Sequence, residues 1–259
     1  MPSVQDHSEI KAFLEEKYSL YNQPKFINSD PIQVPHLFST KEDIEISAIL
    51  TASIAWGRRT LIIKKAQEMM SLMENSPYDF LMNANLKDIT RFEKFQYRTF
   101  KGEDAVYFIR ALQNIYLNHG GLQRLFESGF SLRGNIYDSF LKFREVFFSL
   151  NPPLRTLKHI ADVTKGTSAK RLNMFLRWMV REDNRGVDFG IWKNIPPSAL
   201  LMPLDVHTGN VSRKLELLNR KQNDWKAVLE LTENLRKYDS SDPVKYDFAL
   251  FGLGVFENF

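Results

Sequence analysis

The sequence predicts an all-α fold, and three observations carry the prediction. Apolar residues recur at helical spacing along most of the 259 residues. Alternating runs bounded by paired turn residues, the mark of strands, are scarce. Helix-starting residues stand ahead of several periodic stretches, as at Thr167, Asp205 and the pair Asp242-Pro243. A hydrophobic share of 43% with 25% charged residues suits one large or two small soluble domains and argues against disorder.

In chain order, the first forty residues carry little signal and are expected to pack beside the C-terminal helices. Their acids, and the lack of an apolar core to MPSVQDHSEIKAFLEEKY, argue against a secretion signal. No stretch reaches the roughly 20 apolar residues that span a bilayer, so a cytoplasmic protein without membrane contact is expected. Ile46, Ile49, Leu50 and Ser53 share one helical face, Gly57 breaks the pattern, and Leu61, Ala66 and Met69 resume it. Further helices are predicted over 104–118, 121–128, 136–149, 169–181, 206–218, 225–237 and 243–255. Asn151-Pro152-Pro153 and the stretch from Asp183 to Pro197 punctuate the chain without being long enough for a free linker. The expected arrangement is two helical subdomains with a cleft between them, residues 41–168 forming one and residues 1–40 with 169–259 the other.

Composition narrows the chemistry. There is no cysteine, which excludes disulfides, thiolate metal sites and cysteine-held iron–sulfur clusters. A net charge of +4 suits an anionic partner such as nucleic acid without requiring one.

Two segments hold the groups of most chemical interest. In GTSAKRLNMFLRWMV, Thr167 and Ser168 are N-cap types ahead of an apolar stripe of Leu172, Phe175, Leu176 and Met179. Lys170 then falls in a first helical turn, where the helix dipole disfavours a cation and so favours the neutral amine. A nucleophilic lysine needs such help, because a free lysine loses its proton only near pH 10.4. Arg171 adds positive charge or contacts phosphate. In MPLDVHTGNVSRKLELL, Asp205 follows Pro203 and precedes a helix whose Val206, Val211, Leu215 and Leu218 read as core-facing. Alone, Lys170 reads equally as a solvated surface lysine and Asp205 as a helix cap. Asp205 and His207 lack a further His or acid at a spacing that completes a metal shell, so no metal is expected.

Taken together, Gly166 and Lys170 of GTSAK and Pro203, Asp205 and His207 of MPLDVHT resemble the helix-hairpin-helix DNA glycosylases, specifically the 8-oxoguanine branch with its archaeal members. Lys165 stands where that family prefers proline and Ser168 where it prefers a second glycine. The resemblance implies a lysine Schiff-base glycosylase with β-elimination (AP lyase) activity on an oxidised purine, most simply 8-oxoguanine, with Lys170 as nucleophile and Asp205 as its electrostatic partner. It implies no cofactor, a monomer, and duplex DNA containing a damaged base as partner. In DPVKYDFALFGLGVF, Asp247 and Phe251 lie one turn apart and correspond to residues that bond and stack on the extruded base. In ILTASIAWGRRTLIIKKA, Trp56 would stack or fill space where the base has left, with Arg58 and Arg59 on the orphaned base or phosphates. Gly166, Arg171 and His207 complete the expected DNA contacts. Two readings compete: a helix-hairpin-helix protein that binds DNA without catalysis, and an all-α interaction protein with no nucleic acid partner.

Overall fold

The computed structural model describes residues 7–259. Among these the fold is all-helical, with isolated bridges in place of strands. The helices are α1 (His7–Tyr21), α2 (Lys41–Ser53), α3 (Arg59–Leu72), α4 (Pro77–Asn83), α5 (Leu86–Ile89), α6 (Gly102–Asn118), α7 (Gly121–Arg133), α8 (Ile136–Phe147), α9 (Lys170–Val180), α10 (Val206–Lys214), α11 (Trp225–Arg236) and α12 (Tyr246–Phe256), with short 3-10 turns between several of them. No helix among the described residues is long and apolar enough to cross a membrane.

The chain forms two compact units, one of Ile27–Asp162 and the other of the residues up to Phe26 with Val163–Phe259. These boundaries differ from the expected 40/41 and 168/169. Residues 27–40 join the first unit because Asp30 caps the turn Pro31–Gln33, accepting from Ile32 N at 3.0 Å, and that turn packs on α2 and α3 with Ile32 and Val34 fully buried. Residues 163–168 belong to the other unit because the backbone before α9 is bonded to the backbone entering α11: Trp225 N donates to Gly166 O at 2.9 Å, and Thr167 bridges Asp224.

Within Ile27–Asp162, α2 is buried on every side from Ile44 to Ser53. A helix buried all round belongs at a centre, and α3, α4 and α7 pack against it. The face that α3 buries is Ile62, Ala66, Met69 and Met70; Leu61, expected in that stripe, is 43% exposed. Phe108, Phe126, Phe143 and Phe147 interlock between α6, α7 and α8 with ring centroids 4.7 to 5.3 Å apart.

In the other unit α12 packs between α1 and α10. Its buried run Tyr246–Leu250, with Gly252 and Leu253, accounts for its strongly apolar sequence. Three local expectations fail here for identifiable reasons. The start of α9 is capped by neither Thr167 nor Ser168; Ala169 takes that place in the left-handed region at φ 48° with no side-chain cap. Asp242 precedes the turn Pro243–Lys245 rather than a helix, and its carboxylate accepts from Arg181 Nε at 2.8 Å instead of capping. α10 stops at Lys214 because Glu216 adopts φ 58°, and Val206 is 65% exposed while Val211, Leu215 and Leu218 are buried.

Candidate active site

α9 carries the densest chemistry of its unit. From Leu172 to Val180 every residue is buried, two of them cation-bearing or polar in kind: Arg177 and Asn173. A buried guanidinium is tolerable only when paired. Arg177 Nε donates to Asp188 at 3.2 Å, its Nη1 donates to Asp247 on α12, and its plane lies 4.3 Å over the ring of Phe248. Arg181, the residue after α9, is 1% exposed and reaches Asp183 at 2.7 Å, Asp188 at 3.1 Å, Asp242 at 2.8 Å and the Tyr18 hydroxyl of α1 at 2.7 Å.

The other end of α9 is open. Lys170 is its first residue, and Nζ lies 3.9 Å from Asp205 Oδ2, the two side chains being 26% and 25% exposed. Residues 35 apart in sequence are thus adjacent at two helix starts. Asp205 caps α10 with Oδ1, which accepts from Thr208 N at 3.0 Å, and so Oδ2 faces the amine. Lys170 Nζ also donates to Met174 Sδ, one turn along, at 3.6 Å. Gly166 stands exposed at φ 73°, the left-handed conformation that glycine adopts without penalty.

Asp247 is close enough to this pair for its charge to be felt by both. Burial pushes its carboxyl up to about 6; Arg177 opposes the rise, Asp205 adds to it and Lys170 opposes it. The bond from Arg177 uses Oδ2. Asp247 is therefore a buried acid paired through Oδ2, with Oδ1 outside that bond. Phe251, one turn on, is half-buried with its ring edge-on to Phe26 at 6.1 Å. Burial lowers the guanidinium of Arg171 to about 10. His207 is exposed in the first turn of α10, with its Cβ close to Gly254 of α12.

Trp56, Arg58 and Arg59 belong to the unit Ile27–Asp162. Trp56 is half-buried after α2; its carbonyl accepts from the Tyr97 hydroxyl at 2.5 Å, and its ring lies 5.4 Å from that of Tyr97 and stacks on His159 at 6.1 Å. His159 is itself held 3.3 Å from Asp104. Arg58 is exposed at the cap of α3 and Arg59 half-buried in its first turn.

Arg177, Asp188 and Asn223, whose side chain donates to the Asp205 carbonyl at 2.9 Å, escaped sequence reasoning. A usable signal existed for the first two: Arg177 and Arg181 interrupt an apolar helix four residues apart, just ahead of the acid-bearing segment Glu182–Asp188. No cluster of metal-ligating side chains occurs among the described residues.

Residues 30–256 match the model of the family described as "Protein of unknown function (DUF2400)", and the chain belongs to that family. Neither a curated protein nor a solved structure matches the chain.

Proposed function

We propose that the protein is a DNA glycosylase with associated β-elimination activity, removing an oxidised purine through a lysine Schiff base. The observation that carries this reading is the separation of 3.9 Å between Lys170 Nζ and Asp205 Oδ2, two partly exposed groups at helix starts. The amine of Lys170 attacks C1′ of the extruded nucleotide as the glycosidic bond breaks and its electron pair leaves with the base. Loss of the amine proton and opening of the sugar give the imine, from which β-elimination cleaves the strand. Asp205 stabilises positive charge developing on the sugar and receives the proton given up by Lys170. Asp205 is suited to both roles because one carboxylate oxygen is fixed by Thr208 N and the other faces the amine.

The uncapped first turn of α9, behind the exposed Gly166, leaves backbone N–H groups for a DNA phosphate. Asp247 Oδ1, the oxygen not taken by Arg177, would accept from the N–H donors of a guanine-type base, with Phe251 against its face.

Borohydride trapping tests the reading. A labelled duplex with one 8-oxoguanine opposite cytosine is expected to give a covalent complex with the wild type and none with Lys170→Gln, while the variant still retains the duplex. Retention without a complex, on this and other lesions, would move the assignment to a DNA-binding protein without catalysis.

A further inference from the structure

The segment after α10 is bonded both to Asp205 and to the backbone leading into Lys170. Asp205 O accepts two bonds: Gly209 N at 2.9 Å, the first bond of α10, and Asn223 Nδ2 at 2.9 Å from 18 residues further on. Asn223 is gripped from its other side by Arg213 of α10, whose Nη2 donates to Asn223 Oδ1 at 2.6 Å. Arg213 also donates to the carbonyls of Arg220 and Lys221, both at 2.9 Å, so the loop is pinned over α10 along its length. The next residue, Asp224, bridges Thr167 and caps α11 through Ala227 N at 3.0 Å, and Trp225 N then donates to Gly166 O at 2.9 Å. Three consecutive residues thus hold the backbone of Asp205 and the backbone leading into Lys170.

Gly209 supplies independent support. A Cβ there would lie 2.7 Å from Asn223 Oδ1 and 2.8 Å from Arg213 Nη1, so α10 is bare where the loop side chains cross it. A larger residue at 209 would make the ends of the Asn223 and Arg213 side chains shift.

We propose that Asn223 is a positioning residue for the Lys170–Asp205 pair, the centre of a strap over residues 220–225 that ties the two site-bearing segments together. The catalytic part of this proposal rests on the glycosylase reading; the structural part does not. Asn223 touches no reacting atom and acts through the carbonyl of Asp205, whose orientation decides whether Oδ2 faces the amine. A misplacement of about 1 Å at such a pair costs on the order of 100-fold in rate.

The test compares wild type with Asn223→Asp and Asn223→Ala. Asn223→Asp keeps an acceptor for Arg213 but sets an oxygen against the Asp205 carbonyl. Two readouts are taken: single-turnover borohydride trapping beside duplex retention, and amide hydrogen exchange at Thr208 and Gly209, which needs no substrate. The expected result for Asn223→Asp is trapping slowed by about 10- to 100-fold, retention within about threefold, and faster exchange at Thr208 and Gly209 with α11 unchanged. Unchanged exchange in both variants overturns the strap. Altered exchange with wild-type trapping rates overturns its catalytic role. Trapping that falls only in step with melting temperature overturns it too, since that is general loss of fold. If the wild type itself gives no adduct on any lesion, the glycosylase reading fails, and exchange alone then decides the strap.

Discussion

The two ends of α9 are built on opposite principles. At its C-terminal end Arg177 and Arg181 are buried and held by Asp183, Asp188, Asp242 and Asp247, a network that also draws in Tyr18 and, through Asp183, Asn22. At its N-terminal end Lys170 is a quarter exposed, has a single acid within 4.0 Å, and follows an uncapped left-handed alanine. Buried ion pairs do little for net stability against an apolar substitute, but they admit one arrangement and punish the loss of a partner. A partly exposed pair at 3.9 Å costs less to disturb than a buried one. The helix is fixed at one end so that its other end can be presented.

Breaking the buried end should have the largest effect on stability. Arg181→Met leaves Asp183, Asp188 and Asp242 without their common cation and should cost about 3–5 kcal/mol in urea unfolding. Lys170→Gln, at the other end of the same helix, should stay within about 0.5 kcal/mol of wild type. Equal losses would remove the contrast between the ends.

Activity should show the reverse order. Asp205→Asn is expected to slow Schiff-base formation by about 100- to 1000-fold, while the amide retains the bond from Thr208 N and the fold survives. Wild-type trapping by this variant would reduce Asp205 to a helix cap.

A smaller effect links the ends through pH. Asp247 is raised from 3.8 to about 6, so the folded state holds its proton more tightly than the unfolded state does. Its contribution to stability is full below pH 4 and is lost as pH rises from about 4 to about 6. Asp224 runs the other way: the bonds from Arg220 are the main cause lowering it from 3.8 to about 2, so its contribution is present above pH 4 and lost as pH falls toward 2. Asp247→Asn should remove the decline between pH 4 and 6 from melting curves and leave the acid loss intact. A decline that persists in the variant would mean that another group causes it.

The smallest expected change lies on the other unit. Arg58→Ala, at an exposed cap, should leave stability within about 0.5 kcal/mol and reduce the salt slope of duplex retention by about 1. An unchanged slope would take Arg58 out of the DNA contacts.

The sequence by itself determined that the chain is helical, because apolar spacing at 3.6 residues needs no knowledge of partners. It located Lys170 and Asp205 at helix starts, since the stripes after them and Pro203 before them are local signals. It erred where a local rule met a tertiary competitor. Asp242 is an N-cap by type, yet the buried charge of Arg181 claims its carboxylate. The unit boundaries moved because Ile32 and Val34 are buried and because a backbone bridge joins Thr167 to Asp224.

Only the tertiary structure decided that Lys170 and Asp205 are 3.9 Å apart and that Asn223 donates to the Asp205 carbonyl. Helix periodicity fixes which face a residue occupies within about one turn. The distance between two helix starts depends on the loop bonded to both, and loop bonding between distant backbone groups leaves no periodic trace in the sequence.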